Sequence, residues 1–160
     1  MSRVESSIPV PRPIEEVFSF LNACESHLKF IPRMTQLEQT SPGTFGKVGT
    51  TLSGVLNYFG FRIPVQYEIS EHELNHRLAM KGEMGPVLFE DSYILKKNGD
   101  GTEIKFWLDL MPTGWAKLFS PFASLIGSFH AWETLRNLKR ELQREEIAAP
   151  TARNDVTHGN

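Results

Sequence analysis

Asn98-Gly99-Asp100-Gly101 separates two alternating stretches and makes the chain double back on itself. Paired glycines around Asp are what a two-residue hairpin turn needs. Before the turn, "PVLFEDSYILKK" sets Phe89, Asp91, Tyr93 and Leu95 on one face. After it, "TEIKFWLDLM" sets Ile104, Phe106, Leu108 and Leu110 against Glu103, Lys105, Trp107 and Asp109. A period of two is that of a half-buried strand. Two such strands form an antiparallel ladder, and its apolar face must be covered by another layer.

The covering element is the C-terminal stretch "PTGWAKLFSPFASLIGSFHAWETLRNLKRELQREEI". Ser120-Pro121 is an N-cap and first-turn pair. A helix from there runs about 26 residues, or ~40 Å. Its second half puts Leu135, Leu138 and Leu142 on one side. In its first half, Phe122, Leu125, Ile126, Phe129 and Trp132 cover more than half the circumference, which predicts burial on more than one side. The stripe reads first as core. It reads also as a cavity lining over the small residues Ser124, Gly127 and Ala131, or as a dimer face. Trp115, Phe119 and Phe122 then fall at a pocket mouth or partner surface.

Upstream, "RVESSIPV" is a first strand ended by Pro11 and Pro13. "PIEEVFSFLNA" is a helix, with Ile14, Val17, Phe18 and Leu21 at i, i+3, i+4, i+7 and acids in its first turn. "ESHLKFI" adds a short helical turn. "GKVGTTLSGVLNYFGFRIPVQYEIS" is strand-like, with Val65, Tyr67 and Ile69 alternating against polar residues. The order is one strand, one or two helices, about six strands and one long helix: an α+β domain over residues 1–146, with 147–160 expected to be a disordered tail.

The chain has 160 residues, a net charge of −2 and a single cysteine, Cys24. One domain and a single core follow. No nucleic-acid footprint, intramolecular disulfide, signal peptide or membrane span is expected, which makes a cytoplasmic location the default. Cys24 reads as a small buried hydrophobe. "GTFGKVG" has neither the spacing nor the following helix of a phosphate loop.

"EHELNHR", residues 71–77, contains His72-Glu73-Leu74-Asn75-His76, a literal H-E-x-x-H. That zinc-protease signature needs a helix and a third ligand. Val65-Tyr67-Ile69 before it and Leu78-Met80 after it read as strands, so the segment is expected to be a polar connection. No metal and no cofactor are expected.

Four segments, "IPVPRPIEEVFSFL", "GKVGTT", "GP…F…Y.L…GDGTEI" and "LRNLKREL", occur in this order over residues 3–143. In this the chain resembles the SRPBCC superfamily, which includes START lipid-transfer domains and polyketide cyclase/dehydrase proteins. "ESHLKFIP" also resembles the coenzyme-Q-binding branch. The resemblance implies the helix-grip fold: a curved seven-stranded antiparallel sheet wrapped around a long C-terminal helix, with a cavity between. It implies a hydrophobic small molecule or lipid as partner, and leaves a cyclase/dehydratase enzyme and an interaction module with a filled core as alternatives.

For the binding reading, the expected lining is Phe89, Tyr93, Phe106, Leu108, Phe122, Ile126 and Phe129. For the enzyme reading, the acid/base candidates are Asp91, Tyr93 and His130. Asp91 sits on the apolar strand face, where a carboxylate must be hydrogen-bonded, protonated or solvated. The other reading of Asp91 is a bulge that turns it outward. Tyr93 fits a pocket wall equally as packing. His130 and Glu133 share one flank of the helix; His130 can face the pocket as a base or donor, though such a histidine is more often partly exposed.

Overall fold

A computed structural model of the chain describes residues 2–157. Its elements are β1 (Ser2–Val10), α1 (Ile14–Leu21), α2 (Cys24–Phe30), β2 (Met34–Gln39), β3 (Thr51–Tyr58), β4 (Phe61–Glu73), β5 (Arg77–Met84), β6 (Val87–Asn98), β7 (Gly101–Pro112), a 3-10 segment (Gly114–Phe119) and α3 (Ser120–Thr157). The strands form one antiparallel sheet in the order β1-β7-β6-β5-β4-β3-β2. Only the step from β1 to β2 crosses the sheet, and α1 and α2 carry it. The sheet curves round α3, which packs on β1, β7 and α2. This is the helix-grip arrangement.

The β6–β7 hairpin forms as the alternation requires. Asn98 pairs with Gly101, and Gly99 takes a φ of 61° at the first central position of the turn. A second two-residue turn, Phe59-Gly60, joins β3 to β4 with φ positive at both residues, 53° and 85°. Glycine tolerates that conformation; for a phenylalanine it is an outlier.

Register aligns the inner face. Ile69 pairs with Met80, Met80 with Asp91, and Asp91 with Leu108. A bulge between Ile69 and Glu71 restores His72 to the inward side, opposite Leu78. One end of the grip is solid: Leu78, Tyr93, Leu95, Ile104 and Phe106 meet Leu135, Leu138 and Leu142 of α3, all buried. Each such side chain contributes about 1.5–3 kcal/mol. Arg12 locks this end, bonding the Leu142 carbonyl (2.6 Å) and the Glu16 carboxylate (2.6 Å).

The first half of α3 departs from expectation. Its sheet-facing residues are the small ones, Ala123, Gly127 and Ala131, all buried. A Cβ on Gly127 would already lie 3.5 Å from Leu110 Cδ1 and Val4 Cγ2. The helix therefore rests close on the sheet, and its large apolar residues face outward. Leu125 is 71% exposed and Phe122 56%. The small residues do not open space; they let the helix come down. The backbone of α3 runs on to Thr157, into the stretch 147–160 set apart in the sequence as a tail. The last three residues of that tail lie outside the described ones.

The H-E-x-x-H segment is not a helix. Strand β4 continues to Glu73, and the turn at 74–76 holds Asn75 at a φ of 58°. His72 is half-buried on the inner face, its ring 5.3 Å from that of Phe18, while His76 is exposed. Among the described residues, no group of three His, Cys, Asp or Glu side chains is placed to hold a metal ion.

Candidate functional site

At the other end of the grip, sheet and helix do not meet fully, and a cavity of about 80 Å³ remains. Tyr67, Met80, Phe89 and Leu108 supply its sheet wall, Ile126 and His130 its helix wall. Tyr58 and Ile31 also line it and are only half-buried. Ile126 lines the cavity and is also half-exposed, so it marks the boundary between inside and outside. The volume takes a few waters, at roughly 10–15 Å³ each, and is smaller than the ~300 Å³ of a drug-sized pocket. Met34, Met80 and Met84 line it. Methionine is unbranched and adaptable, so this wall can rearrange around an occupant.

Asp91 is the polar exception. It stands between Met80 and Leu108 in register, and the surface it keeps opens into the cavity. Its Oδ1 has no hydrogen-bond partner among the described residues. Burial alone raises its pKa to about 8. The group is therefore a neutral carboxylic acid at pH 7, able to donate a hydrogen bond into an apolar space.

His130 enters from the opposite wall. Burial lowers its pKa to about 4, against a smaller upward pull from Glu133, so its imidazole is neutral. Glu133 does not join it in the cavity. Its carboxylate binds Arg33 Nη1 at 2.6 Å.

Sequence reasoning missed one further pair. His27 of α2 is fully buried and reaches Tyr67. Its Nε2 lies 2.8 Å from the Leu21 carbonyl, which only accepts, so Nε2 carries the proton. Nδ1 then accepts from the Tyr67 hydroxyl at 3.2 Å. Burial lowers the His27 pKa to about 4, which keeps it neutral. The bond fixes Tyr67, whose ring forms part of the cavity wall. The alternation of Val65, Tyr67 and Ile69 marks Tyr67 as inward-facing; nothing in the sequence links it to His27.

Of the residues expected to line the cavity, Phe89, Leu108 and Ile126 do so. Tyr93 and Phe106 lie in the packed core beside it, their rings 4.7 Å apart. Tyr93 is thus not brought to the cavity with Asp91 and His130. Phe122 and Phe129 point outward and are half-exposed.

A family profile described as polyketide cyclase / dehydrase and lipid transport matches residues 1–143. No protein of curated function matches the sequence. Among solved structures, the Zhui aromatase/cyclase from Streptomyces sp. R1128 superposes with a TM-score of 0.78 at 12% identity, covering 92% of this chain and 96% of that one. The protein TTHA0849 from Thermus thermophilus gives 0.75 at 16% identity, covering 89% and 98%. A START superfamily protein from Mycobacterium smegmatis gives 0.68 at 15%, covering 91% and 97%. At such identities these likenesses speak for the fold alone. The profile spans nearly the whole chain, and the chain belongs to the polyketide cyclase/dehydrase and lipid-transport family, within the SRPBCC/START-like superfamily.

Proposed function

We propose that this protein binds, and carries, an apolar small molecule or lipid with one uncharged oxygen function. The observation that supports this most is Asp91: an acid whose Oδ1 has no partner among the described residues, in a cavity whose other lining is apolar apart from His130 and the tyrosine hydroxyls. Such a group is costly unless an occupant completes it. A ketone, ester or hydroxyl oxygen accepts a hydrogen bond from its O–H, while apolar burial supplies most of the affinity. The methionine wall yields as the occupant enters. The cavity speaks against an interaction module with a filled core.

Native mass spectrometry of protein purified from its own host tests the reading. The expected result is a co-purifying apolar mass that Asp91→Leu loses. An empty wild-type protein that also takes up no fluorescent fatty-acid probe would overturn it.

A cyclase or dehydratase is the second reading, favoured by one observation: a neutral imidazole and a protonated carboxyl share the cavity. In a dehydration, His130 takes the proton from the carbon beside a carbonyl as the double bond forms. Asp91 gives its proton to the departing hydroxyl, which leaves as water. Turnover of a β-hydroxy ketone, lost in both Asp91→Asn and His130→Gln while binding persists, would select this reading.

A further inference from the structure

The outside of α3 is greasier than its inside. Ala123, Gly127 and Ala131 are buried, while Phe122, Leu125 and Phe129 face solvent. The 3-10 segment before it continues the surface with Trp115, Phe119 and Leu118, the last 80% exposed. A second apolar point adjoins the cavity lining. The β3–β4 turn presents Phe59, 98% exposed and strained at positive φ. Tyr58 at the root of that turn lines the cavity, as Ile126 of α3 does. Arg33 ties the two sides, stacking on Tyr58 (5.1 Å) and on Phe129 (5.8 Å). Among the described residues these side chains make surface contacts and lie outside the buried core, and a patch of this extent marks a contact surface.

Charge selects the occupant. Between Asp109 and Glu133 the only Lys, Arg, Asp or Glu is Lys117. Arg136 flanks the other end, 4.5 Å over the Trp132 ring, and Glu133 is already neutralised by Arg33. On a chain of net charge −2, the free charges of this stretch, Lys117 and Arg136, are cations. A second copy of the same face brings cations without matching acids. A bilayer with anionic headgroups supplies the acids, and its interfacial zone takes Trp, Phe and Leu.

We infer that the outer face of the 3-10 segment and the first half of α3, with the Phe59 turn, docks on an anionic lipid surface and sets the cavity mouth against the acyl layer. The inference rests on the ligand-carrying reading above and names the place where cargo is exchanged. An apolar ligand then passes between cavity and bilayer without crossing water.

Co-sedimentation with ligand-free vesicles tests it. Wild-type protein is expected to bind phosphatidylglycerol-rich vesicles, to bind pure phosphatidylcholine more weakly, and to show a blue shift of tryptophan fluorescence that Trp115→Phe diminishes. Leu118 and Leu125 touch neither core nor cavity, so the double variant Leu118→Glu/Leu125→Glu should fold. It should bind at least roughly tenfold more weakly, since two apolar anchors become charges. Lys117→Glu should remove the preference for phosphatidylglycerol. Wild-type protein left in the supernatant, or a double variant that binds as well as wild type, overturns the inference. So does a dimer in light scattering that Leu125→Glu dissociates while no vesicle binding occurs. Uptake of a soluble fluorescent fatty acid, measured without vesicles, keeps the two readings apart. Uptake without vesicle binding overturns the docking alone; vesicle binding without uptake overturns the cargo reading alone.

Discussion

Asp91 on β6 and His130 on α3 line one cavity from opposite walls, and burial holds both in their neutral forms. Their effects on stability run in opposite directions. The Asp91 pKa is raised to about 8, so its contribution is complete below about pH 4 and is lost as pH rises through 8. His130 and His27 are lowered to about 4, so their contributions are complete above about pH 6.5 and are lost as pH falls through 4. Between about pH 4 and 6.5 two histidines outweigh one acid. Above that only the acid acts. Stability in urea is therefore expected to peak near pH 6.5, and each titrating group bends the curve by at most ~1.4 kcal/mol per pH unit. Asp91→Asn should abolish the decline toward pH 8 and leave the acid limb. An unchanged alkaline limb in that variant means Asp91 ionises normally.

Tyr67→Phe tests the hidden support of the cavity wall. The change removes one oxygen, keeps the ring, and leaves Nδ1 of a fully buried His27 without its donor. A loss of about 1–3 kcal/mol of stability, measured by urea unfolding, is expected. The chemical shift of His27 in imidazole-selective NMR should move as its partner disappears. A loss near zero with an unmoved resonance would show that the 3.2 Å contact carries no weight.

The α+β class, the strand alternation, the β6–β7 hairpin and the inward side of Asp91 were legible because each depends on neighbours in sequence. The orientation of α3 was not. An apolar stripe at Phe122, Leu125, Ile126 and Phe129 normally marks the buried side. Here the helix is seated by Ala123, Gly127 and Ala131, and only the curvature of the sheet beneath it decides that the small face is the one that fits. Tyr93 and Asp91 show the same limit. They share a strand face two residues apart, yet one lies in solid core and the other on a cavity wall, because Leu135 and Leu138 fill the space at one end only. The His27–Tyr67 bond joins residues forty apart, which no local pattern encodes.

Arg33 and Glu133 pair beside Tyr58, which lines the cavity, and their removal should act on exchange more than on stability. The pair is at 2.6 Å but partly exposed, so breaking it costs at most about 1 kcal/mol. Arg33 also sits at a φ of 63°, an unfavourable conformation for a side-chain-bearing residue. Arg33→Gly relieves that strain while cutting the strap. The variant is expected to keep a melting temperature close to wild type and to release a fluorescent fatty acid several-fold faster in stopped flow. An unchanged release rate would show that the strap does not gate the opening.

Phe59 stands in a left-handed conformation with its ring in water, two costs with no return inside the fold. Asn-Gly is the pair that this two-residue turn favours. Phe59→Asn should therefore raise stability by about 1 kcal/mol, since the strain disappears and no buried contact is lost. If the turn touches lipid, the same variant should bind phosphatidylglycerol-rich vesicles several-fold more weakly. The two measurements are expected to move in opposite directions, the pattern of a residue kept at the expense of stability. A more stable variant with undiminished vesicle binding would confine the lipid contact to α3 and the segment before it. A less stable variant would mean that the Phe59 ring packs against the protein after all.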